Sequence, residues 1–201
     1  MKRLFSFLLI ISLTAMSCNR ENVQKFKAAL KEDDARPEIQ VAVLFDNSIS
    51  YKDYVLDTLN NVKKLFQFLV SKYGSDENIK VSLILIDSKA SIIFNGKVRD
   101  LQRAFDDVEK TLKTGQSQFT DLSNAVNRAL YFFTEGNAKR RVLIMFTDMK
   151  ASTPNYHPRD EEVVPPPPDF PWDGLRNENV EAYAFFVPFK EWRLWQPGMC
   201  Q

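Results

Sequence analysis

The hydrophobic residues of this chain fall into short continuous runs, separated by stretches in which they recur with helical spacing. Three of the runs share an aspartate just after their carboxyl end: residues 39–45 before Asp46, 81–86 before Asp87, and 142–146 before Asp148. Continuous apolar runs of this length are typical of strands covered on both faces, as in a parallel sheet. A run at 91–94 predicts a hairpin partner for the second strand, and 180–187 predicts a last strand that Pro188 closes.

The segments between these strands carry apolar residues at steps of three and four positions, which predicts amphipathic helices. The longest predicted helix covers residues 51–73, ends at Gly74, and has an apolar stripe made of Val55, Leu59, Val62, Phe66, Leu69 and Tyr73. Two more helices are predicted around 101–112 and 122–133. Strands alternating with helices at this spacing predict an α/β fold: a doubly wound, mostly parallel open sheet with helices on both faces.

The composition fits one domain with appendages and shows no excess of basic residues. Of the 201 residues, 44% are hydrophobic, which is enough for one substantial core. The 27 Lys and Arg residues are balanced by 26 Asp and Glu residues, and they do not cluster in a basic run. We therefore expect no nucleic-acid partner.

The amino-terminal part of the chain differs in character from the rest. Lys2 and Arg3 precede an apolar stretch at 4–15 that is too short to span a membrane, and Cys18 follows small residues. Residues 1–17 resemble a bacterial lipoprotein signal peptide. This resemblance implies lipidation of Cys18 and a lipid-anchored protein of the bacterial cell envelope, on its periplasmic or cell-surface face. The alternative is an ordinary secretory signal that is cleaved.

Residues 18–38 are predicted to be a polar tether that leads into a domain covering 39–201. Its larger apolar residues are spaced to line one face of a short helix: Val23, Phe26 and Leu30. Pro37 would stop such a helix. With Cys18 lipidated, Cys200 has no cysteine partner, and without lipidation a disulfide between the two remains open.

Five oxygen-bearing residues stand where predicted strands and helices meet their loops, and they are the candidate metal ligands: Asp46, Ser48, Ser50, Thr120 and Asp148. Open α/β sheets bind ligands outside the carboxyl ends of their strands, so these side chains are expected at one edge. Carboxylates and hydroxyls are hard donors that suit Mg²⁺, Mn²⁺ or Ca²⁺. Each residue also has a structural explanation. Ser50 with Asp53, and separately Thr120, fit helix N-caps, and the two aspartates fit acceptors for loop amides.

The order of these five residues is Asp-x-Ser-x-Ser after an apolar strand, Thr before a helix, and Asp after another strand. This order resembles the metal-ion-dependent adhesion site of von Willebrand factor type A domains, and the resemblance covers about residues 39–188. It implies a binding module and not an enzyme. It also implies a Mg²⁺ cofactor (or Mn²⁺ or Ca²⁺) and a protein partner that supplies an acidic residue to the metal.

The sequence departs from the family pattern at two places. Met149 follows Asp148 where many members carry Gly. Thirteen residues follow Pro188, which is too few for the usual closing helix, strand and helix. The second departure implies a shortened domain without its last strand and helix, or a truncated gene product.

A long irregular insertion is predicted at 149–179, with a stiff run of four prolines at 165–168. Phe170 and Trp172 either project from it toward a partner or fold onto the body of the domain. The tail after the last strand is also rich in large apolar residues, which are expected to cover the sheet or to form a partner-binding patch: Phe189, Trp192, Leu194 and Trp195.

Catalytic motifs do not appear in the sequence. It has no Gly-x-Ser-x-Gly elbow and no Walker-type phosphate loop, and its one histidine, His157, lies in the insertion. We therefore expect a divalent-metal-dependent protein-binding module, for adhesion or assembly, anchored to the bacterial envelope. One alternative is a metal-free structural scaffold lipoprotein. The other is a Mg²⁺-dependent phosphotransferase or hydrolase with Asp46 as nucleophile and Lys150 as its basic partner.

Overall fold

A five-stranded sheet lies at the centre of the computed structural model, which describes residues 39–76, 78–114, 117–136, 138–155 and 163–199. Its strands are β1 (Ile39–Asp46), β2 (Ile79–Ile86), β3 (Ser91–Lys97), β4 (Arg140–Phe146) and β5 (Val180–Phe185). Their spatial order is β3-β2-β1-β4-β5. Neighbouring strands are parallel except β2 and β3, which form the expected antiparallel hairpin. β1 is therefore the central strand, with β2 on one side and β4 on the other.

Five helices flank the sheet in the described part of the chain: α1 (Val55–Tyr73), α2 (Leu101–Thr114), α3 (Leu122–Gly136), α4 (Trp172–Asn177) and α5 (Phe189–Met199). Short 3-10 turns at 52–54 and 98–100 lead into α1 and α2. α1 and α2 pack on one face of the sheet, called here the first face, and α3, α4 and α5 pack on the second face. Helices on both faces of a mostly parallel sheet confirm the predicted doubly wound α/β fold.

The central strand shows why the sequence contains continuous apolar runs. Val43 and Phe45 join the core of the first face, and Ala42 and Leu44 join the core of the second. All four side chains are fully buried. Because successive side chains of a strand point to opposite faces, a strand covered on both faces needs an apolar residue at every position.

Gln40 is the polar exception in β1, and both ends of its amide are hydrogen-bonded. Its Nε2 donates a 2.6 Å hydrogen bond to the Phe132 carbonyl, and its Oε1 accepts one of 3.4 Å from the Ala138 N–H. The amide thus ties the start of β1 to the end of α3. A Cβ atom at Gly136 would collide with this amide, so the close approach requires glycine there.

Two helices of the structure were not predicted from the sequence. The insertion at 149–179 includes α4, and the tail after Pro188 forms α5. Phe170 is 5% exposed and its ring centroid lies 4.9 Å from that of the fully buried Trp195. Trp172 packs on the same cluster. The alternative in which the aromatics fold onto the body is therefore confirmed, and projection of Phe170 and Trp172 toward a partner is wrong.

The end of the sheet differs slightly from the prediction. β5 stops at Phe185, two residues earlier than expected, because Phe186 adopts a left-handed backbone with φ of 68°. Within the described residues, β5 is an edge strand that is followed by α5 and by no further strand.

Several predictions concern residues outside the described ranges. These are the signal peptide at 1–17, the tether at 18–38 with Cys18, the histidine at 157 and Cys200. They stay predictions. Across the described ranges, no helix combines the length and the apolarity that crossing a membrane requires.

Candidate functional site

Three loops are tied together at the carboxyl edge of the sheet by backbone hydrogen bonds. The Ser117 N–H donates to the Asn47 carbonyl (2.8 Å), and the Ile49 N–H donates to the Ser117 carbonyl (3.1 Å). The segment before α3 pairs in turn with the loop after β4, where Thr120 and Ser152 exchange N–H···O bonds of 3.0 and 2.9 Å. Since β1 lies between β2 and β4, these loops meet where the strand order reverses. Open α/β sheets bind ligands at this point.

Asp46 ends β1 and is fully buried at this edge. Its Oδ1 accepts a hydrogen bond from the Ser48 N–H at 2.9 Å, and its Oδ2 accepts one from the Thr147 hydroxyl at 2.6 Å. The Ser48 hydroxyl also hydrogen-bonds to this carboxyl group. The carboxylate is therefore held in one orientation across β1 and the loop after β4. Further lone pairs on both oxygens remain able to accept another partner.

Asp148, in the loop after β4, is linked to Ser48 and Ser50 by hydrogen bonds between side chains. The hydroxyl oxygens of Ser48 and Ser50 are 3.1 Å apart, and the Ser50 hydroxyl also hydrogen-bonds to the Asp148 carboxyl group. Oδ1 of Asp148 accepts the Lys150 N–H at 3.0 Å. The structure thus brings four of the five candidate ligands together in one connected group.

Thr120, the fifth candidate, is almost fully buried. Its backbone bridge to Ser152 places it against the loop after β4, which also carries Asp148. The structure therefore places Thr120 at the same edge as the other four residues, on the neighbouring segment.

The capping explanations for Ser50 and Thr120 are wrong. Neither the 3-10 turn before α1 nor α1 itself has a side-chain cap, so Ser50 does not serve as one. The cap of α3 comes from Asp121, whose Oδ1 accepts the Asn124 N–H at 2.9 Å. The explanation for the two aspartates is confirmed, because each accepts a loop amide from the residue two positions on. That role leaves acceptor capacity on both carboxylates.

The electrostatics of the site follow from burying two acids side by side. Burial and, less strongly, the charge of Asp148 raise the pKa of Asp46. Hydrogen bonds from Thr147 and Ser48 oppose both effects, and the net result is a pKa of about 7. Burial also raises the pKa of Asp148, while hydrogen bonds and the charge of Lys150 lower it. A divalent cation held by these groups would favour their charged forms.

The donor set fits a hard cation. It consists of carboxylate and hydroxyl oxygens, which Mg²⁺, Mn²⁺ and Ca²⁺ prefer. In the part of the chain that the structure describes, no three His, Cys, Asp or Glu side chains gather in a metal-binding group. The edge therefore does not offer the nitrogen and sulfur ligands that are typical of zinc sites.

A comparison against known families assigns the domain to a family. Residues 40–187 match the model of the von Willebrand factor type A domain. The chain belongs to the von Willebrand factor type A family. No curated protein matches the chain.

Three solved structures of bacterial proteins are similar to the chain. The chain is similar to SpaC, a pilus adhesin of Lactobacillus rhamnosus GG, with a TM-score of 0.56 and 11% identity over 76% of this chain and 24% of the adhesin. This chain therefore spans about a quarter of that protein. It is also similar to the vWF domain of Mfa5, a type V pili tip protein of Porphyromonas gingivalis (TM-score 0.49, 11% identity, 59% of this chain and 40% of that one). A third similar structure is BatB of Bacteroides thetaiotaomicron (TM-score 0.48, 15% identity, 73% and 65%).

In this von Willebrand factor type A domain, the residue after Asp148 has a left-handed backbone. Met149 adopts a φ of 61°, a conformation that glycine reaches without steric cost, which accounts for Gly at this place in the family pattern. The Met149 side chain is fully buried in the core of the second face, and its N–H donates to the Thr147 hydroxyl at 3.0 Å. Burial of the side chain offsets the strain, so the loop forms without glycine.

Two residues at this edge of the domain had no predicted role. One is Thr147, which orients Asp46. The other is Asp87, which directly follows β2. Burial disfavours the charged form of the Asp87 carboxyl group. Hydrogen bonds from Ser117, Ser88 and Asn47 outweigh this effect and lower the pKa of Asp87. The positions of both residues, at strand ends beside other site residues, were the only signal in the sequence.

Proposed function

We propose that this domain is a divalent-cation-dependent protein-binding module that works in adhesion or assembly at the bacterial cell envelope. The observation that carries the proposal is the connected group of Asp46, Ser48, Ser50 and Asp148 at the carboxyl edge, with Thr120 on the adjoining segment. Membership of the von Willebrand factor type A family and similarity to a protein described as a pilus adhesin support it.

The charge of the ligand set supports a role in binding acidic partners. The three hydroxyls are neutral, so the two carboxylates can at most balance one divalent cation. Asp46 already accepts two hydrogen bonds from the protein, which reduces the negative charge that it offers to a cation. When bound, the cation supplies a positive centre that can accept another carboxylate. We therefore expect the partner to contribute an acidic side chain to the site.

Thermal unfolding tests the cation dependence. We expect Mg²⁺ or Mn²⁺ to raise the melting temperature of the wild type relative to EDTA, because a ligand of the folded state stabilises it by about 2.7 kcal/mol at 100 times its Kd. This corresponds to a rise of about 5 °C or more. Asp46→Ala should abolish the rise. Asp53→Asn, an exposed acid in the same region, should retain it.

An unchanged wild-type melting temperature would reject the metal site and favour the metal-free scaffold lipoprotein. If the cation does bind, capture of envelope proteins in Mg²⁺ and in EDTA tests whether it mediates recognition. Partners held equally in EDTA would contradict a cation-mediated contact.

The anchor has a separate test. Labelling of growing cells with a radioactive fatty acid should mark the wild-type chain and not Cys18→Ser. A wild-type chain without label would instead indicate an ordinary cleaved secretory signal.

A further inference from the structure

Four aromatic side chains lie partly exposed at the β5 edge of the first face, and we call them the aromatic strip: Tyr54, Tyr183, Phe185 and Phe186. The ring centroids of Phe186 and Tyr54 are 5.8 Å apart. The Phe185 ring stacks at 5.3 Å on buried Phe146, which also lies 6.3 Å from the Phe186 ring. Tyr183 continues the strip two positions along β5. The strip is therefore an apolar surface that follows the edge of the sheet.

The backbone at the end of β5 concentrates these rings on one face. In a regular strand, Phe185 and Phe186 would point to opposite faces. Here both pack on the first face, and Val187 packs on the second. The left-handed φ of 68° at Phe186 produces this arrangement, and it is rare for a bulky residue. A strained backbone thus places an extra aromatic ring on a surface that solvent reaches.

The edge position explains why the strip is open. β4 is buried from Val142 to Phe146, whereas all six residues of β5 are partly exposed. In the described part of the chain, β5 has β4 on one side and no strand on the other. A single additional element along β5 would cover the strip.

We propose that residues 21–32 of the tether form an amphipathic helix that packs on the aromatic strip. The segment carries three large apolar residues at steps of three and four, which places them on one face of a helix: Val23, Phe26 and Leu30. The stripe from Val23 to Leu30 rises about 10 Å along the helix, and the strip from Tyr183 to Phe186 extends about 10 Å along the edge. The stripe and the strip therefore match in length, and both are apolar.

The point where the chain enters the domain allows this contact. β1 begins at Ile39, which pairs with Arg140 of β4, and β5 lies one strand further out. The start of β5 is thus roughly 10 Å from the entry point. Residues 33–38 can span about 20 Å when extended, which is longer than the distance that they have to cover.

The connection to β1 sets the direction of the helix. Residues 33–38 join its carboxyl end to Ile39, so that end lies near the start of β5 and the amino end lies toward Phe186. The docked helix would also reach Tyr54 at the start of α1, close to the loop of Ser50. The anchor would then be attached to the domain by a rigid contact instead of a free tether.

Disulfide crosslinking tests the contact in the leaderless chain with Cys18→Ser and Cys200→Ser. One variant adds Phe26→Cys and Tyr183→Cys. The control variant adds Phe26→Cys and Tyr131→Cys, at an exposed position of α3 on the second face. We expect the first pair to form an intramolecular disulfide at least about tenfold faster than the control, because docking raises the effective concentration of the two thiols. Equal rates overturn the proposal. A disulfide between two chains also overturns it and assigns the strip to a second copy.

Thermal unfolding checks the same contact without altering the strip. Phe26→Ser should lower the melting temperature by about 4 °C or more, since it removes a buried ring. Lys25→Ser, on the other side of the helix, should leave it unchanged. Both measurements are made in EDTA, so the result does not depend on the cation site. An unchanged melting temperature for Phe26→Ser overturns the proposal.

Discussion

The hydroxyl group of Thr147 donates a 2.6 Å hydrogen bond to Oδ2 of Asp46, and the same hydroxyl oxygen accepts the Met149 N–H at 3.0 Å. Thr147 is fully buried. One side chain therefore joins the last residue of the central strand to the loop that carries Asp148. It orients the first carboxylate and shapes the backbone next to the second.

Replacing Thr147 with valine tests this connection. Thr147→Val keeps the volume but removes the hydrogen bond to Oδ2 of Asp46 and the acceptor of the Met149 N–H. We expect a loss of about 1–3 kcal/mol in the free energy of unfolding by urea, together with a smaller rise of the melting temperature on adding Mg²⁺. Thr147→Ser retains the hydroxyl and serves as the control. Wild-type behaviour of the valine variant would show that the hydroxyl does not position the site.

The raised pKa of Asp46 predicts how stability depends on pH in EDTA. The unfolded chain has the usual value of 3.8 and the folded metal-free chain about 7, so the folded state binds more protons between these values. Stability should therefore fall as pH rises from about 4 to about 7, by up to about 1.4 kcal/mol per pH unit. Urea unfolding across this range measures the slope. Asp46→Asn should reduce it, and saturating Mg²⁺ should reduce it in the wild type. A slope that is the same in wild type and variant would contradict the assignment to Asp46.

The left-handed backbone of Met149 predicts an unusual order of substitutions. Met149→Ala and Met149→Gly both remove the buried side chain, at a cost of about 2–5 kcal/mol. The glycine variant should nevertheless be more stable than the alanine variant by about 1 kcal/mol, because only alanine keeps a strained Cβ. Ala151→Gly, at a buried position without positive φ, is the control and should lower stability. Chemical unfolding of the three variants measures their free energies of unfolding. An alanine variant more stable than the glycine variant at position 149 would refute the backbone strain.

The packing of Gly136 against Gln40 predicts a double-mutant effect. Gly136→Ala should destabilise the domain by about 1–3 kcal/mol, although alanine normally favours a helix, because the new Cβ meets the Gln40 amide. In a Gln40→Ala background the same change should cost little. The difference between the two costs, measured by urea unfolding, is the interaction energy. Equal costs in both backgrounds would show that the amide can move aside.

The fold class followed from local patterns alone. β1 and β4 are covered on both faces, so residues 41–45 and 142–146 are apolar at every position. The three- and four-residue spacing of apolar residues in α1, α2 and α3 is likewise visible in short segments of sequence. Since parallel strands place their carboxyl ends at one edge, Asp46 and Asp148 could be assigned to a common edge before any contact was known.

The helices α4 and α5 could not be predicted in this way. α4 has six residues, too few to show a helical period, and α5 contains Pro197 and Gly198, which are poor helix formers. Both are held by the packing of Phe170, Trp172 and Trp195 on the second face. Tertiary contacts between distant segments outweigh local propensity here.

Hydrophobic period and strand direction were enough to predict the α/β architecture and the edge at which the candidate ligands lie. Which donor serves each carboxylate oxygen followed from the tertiary structure and not from the sequence. The bond from Thr147 to Asp46 joins residues 101 positions apart, and Asp121, not Thr120, caps α3. Such contacts depend on the three-dimensional positions of strands β1 and β4 and of their loops. These positions cannot be read from the spacing of residues along the chain.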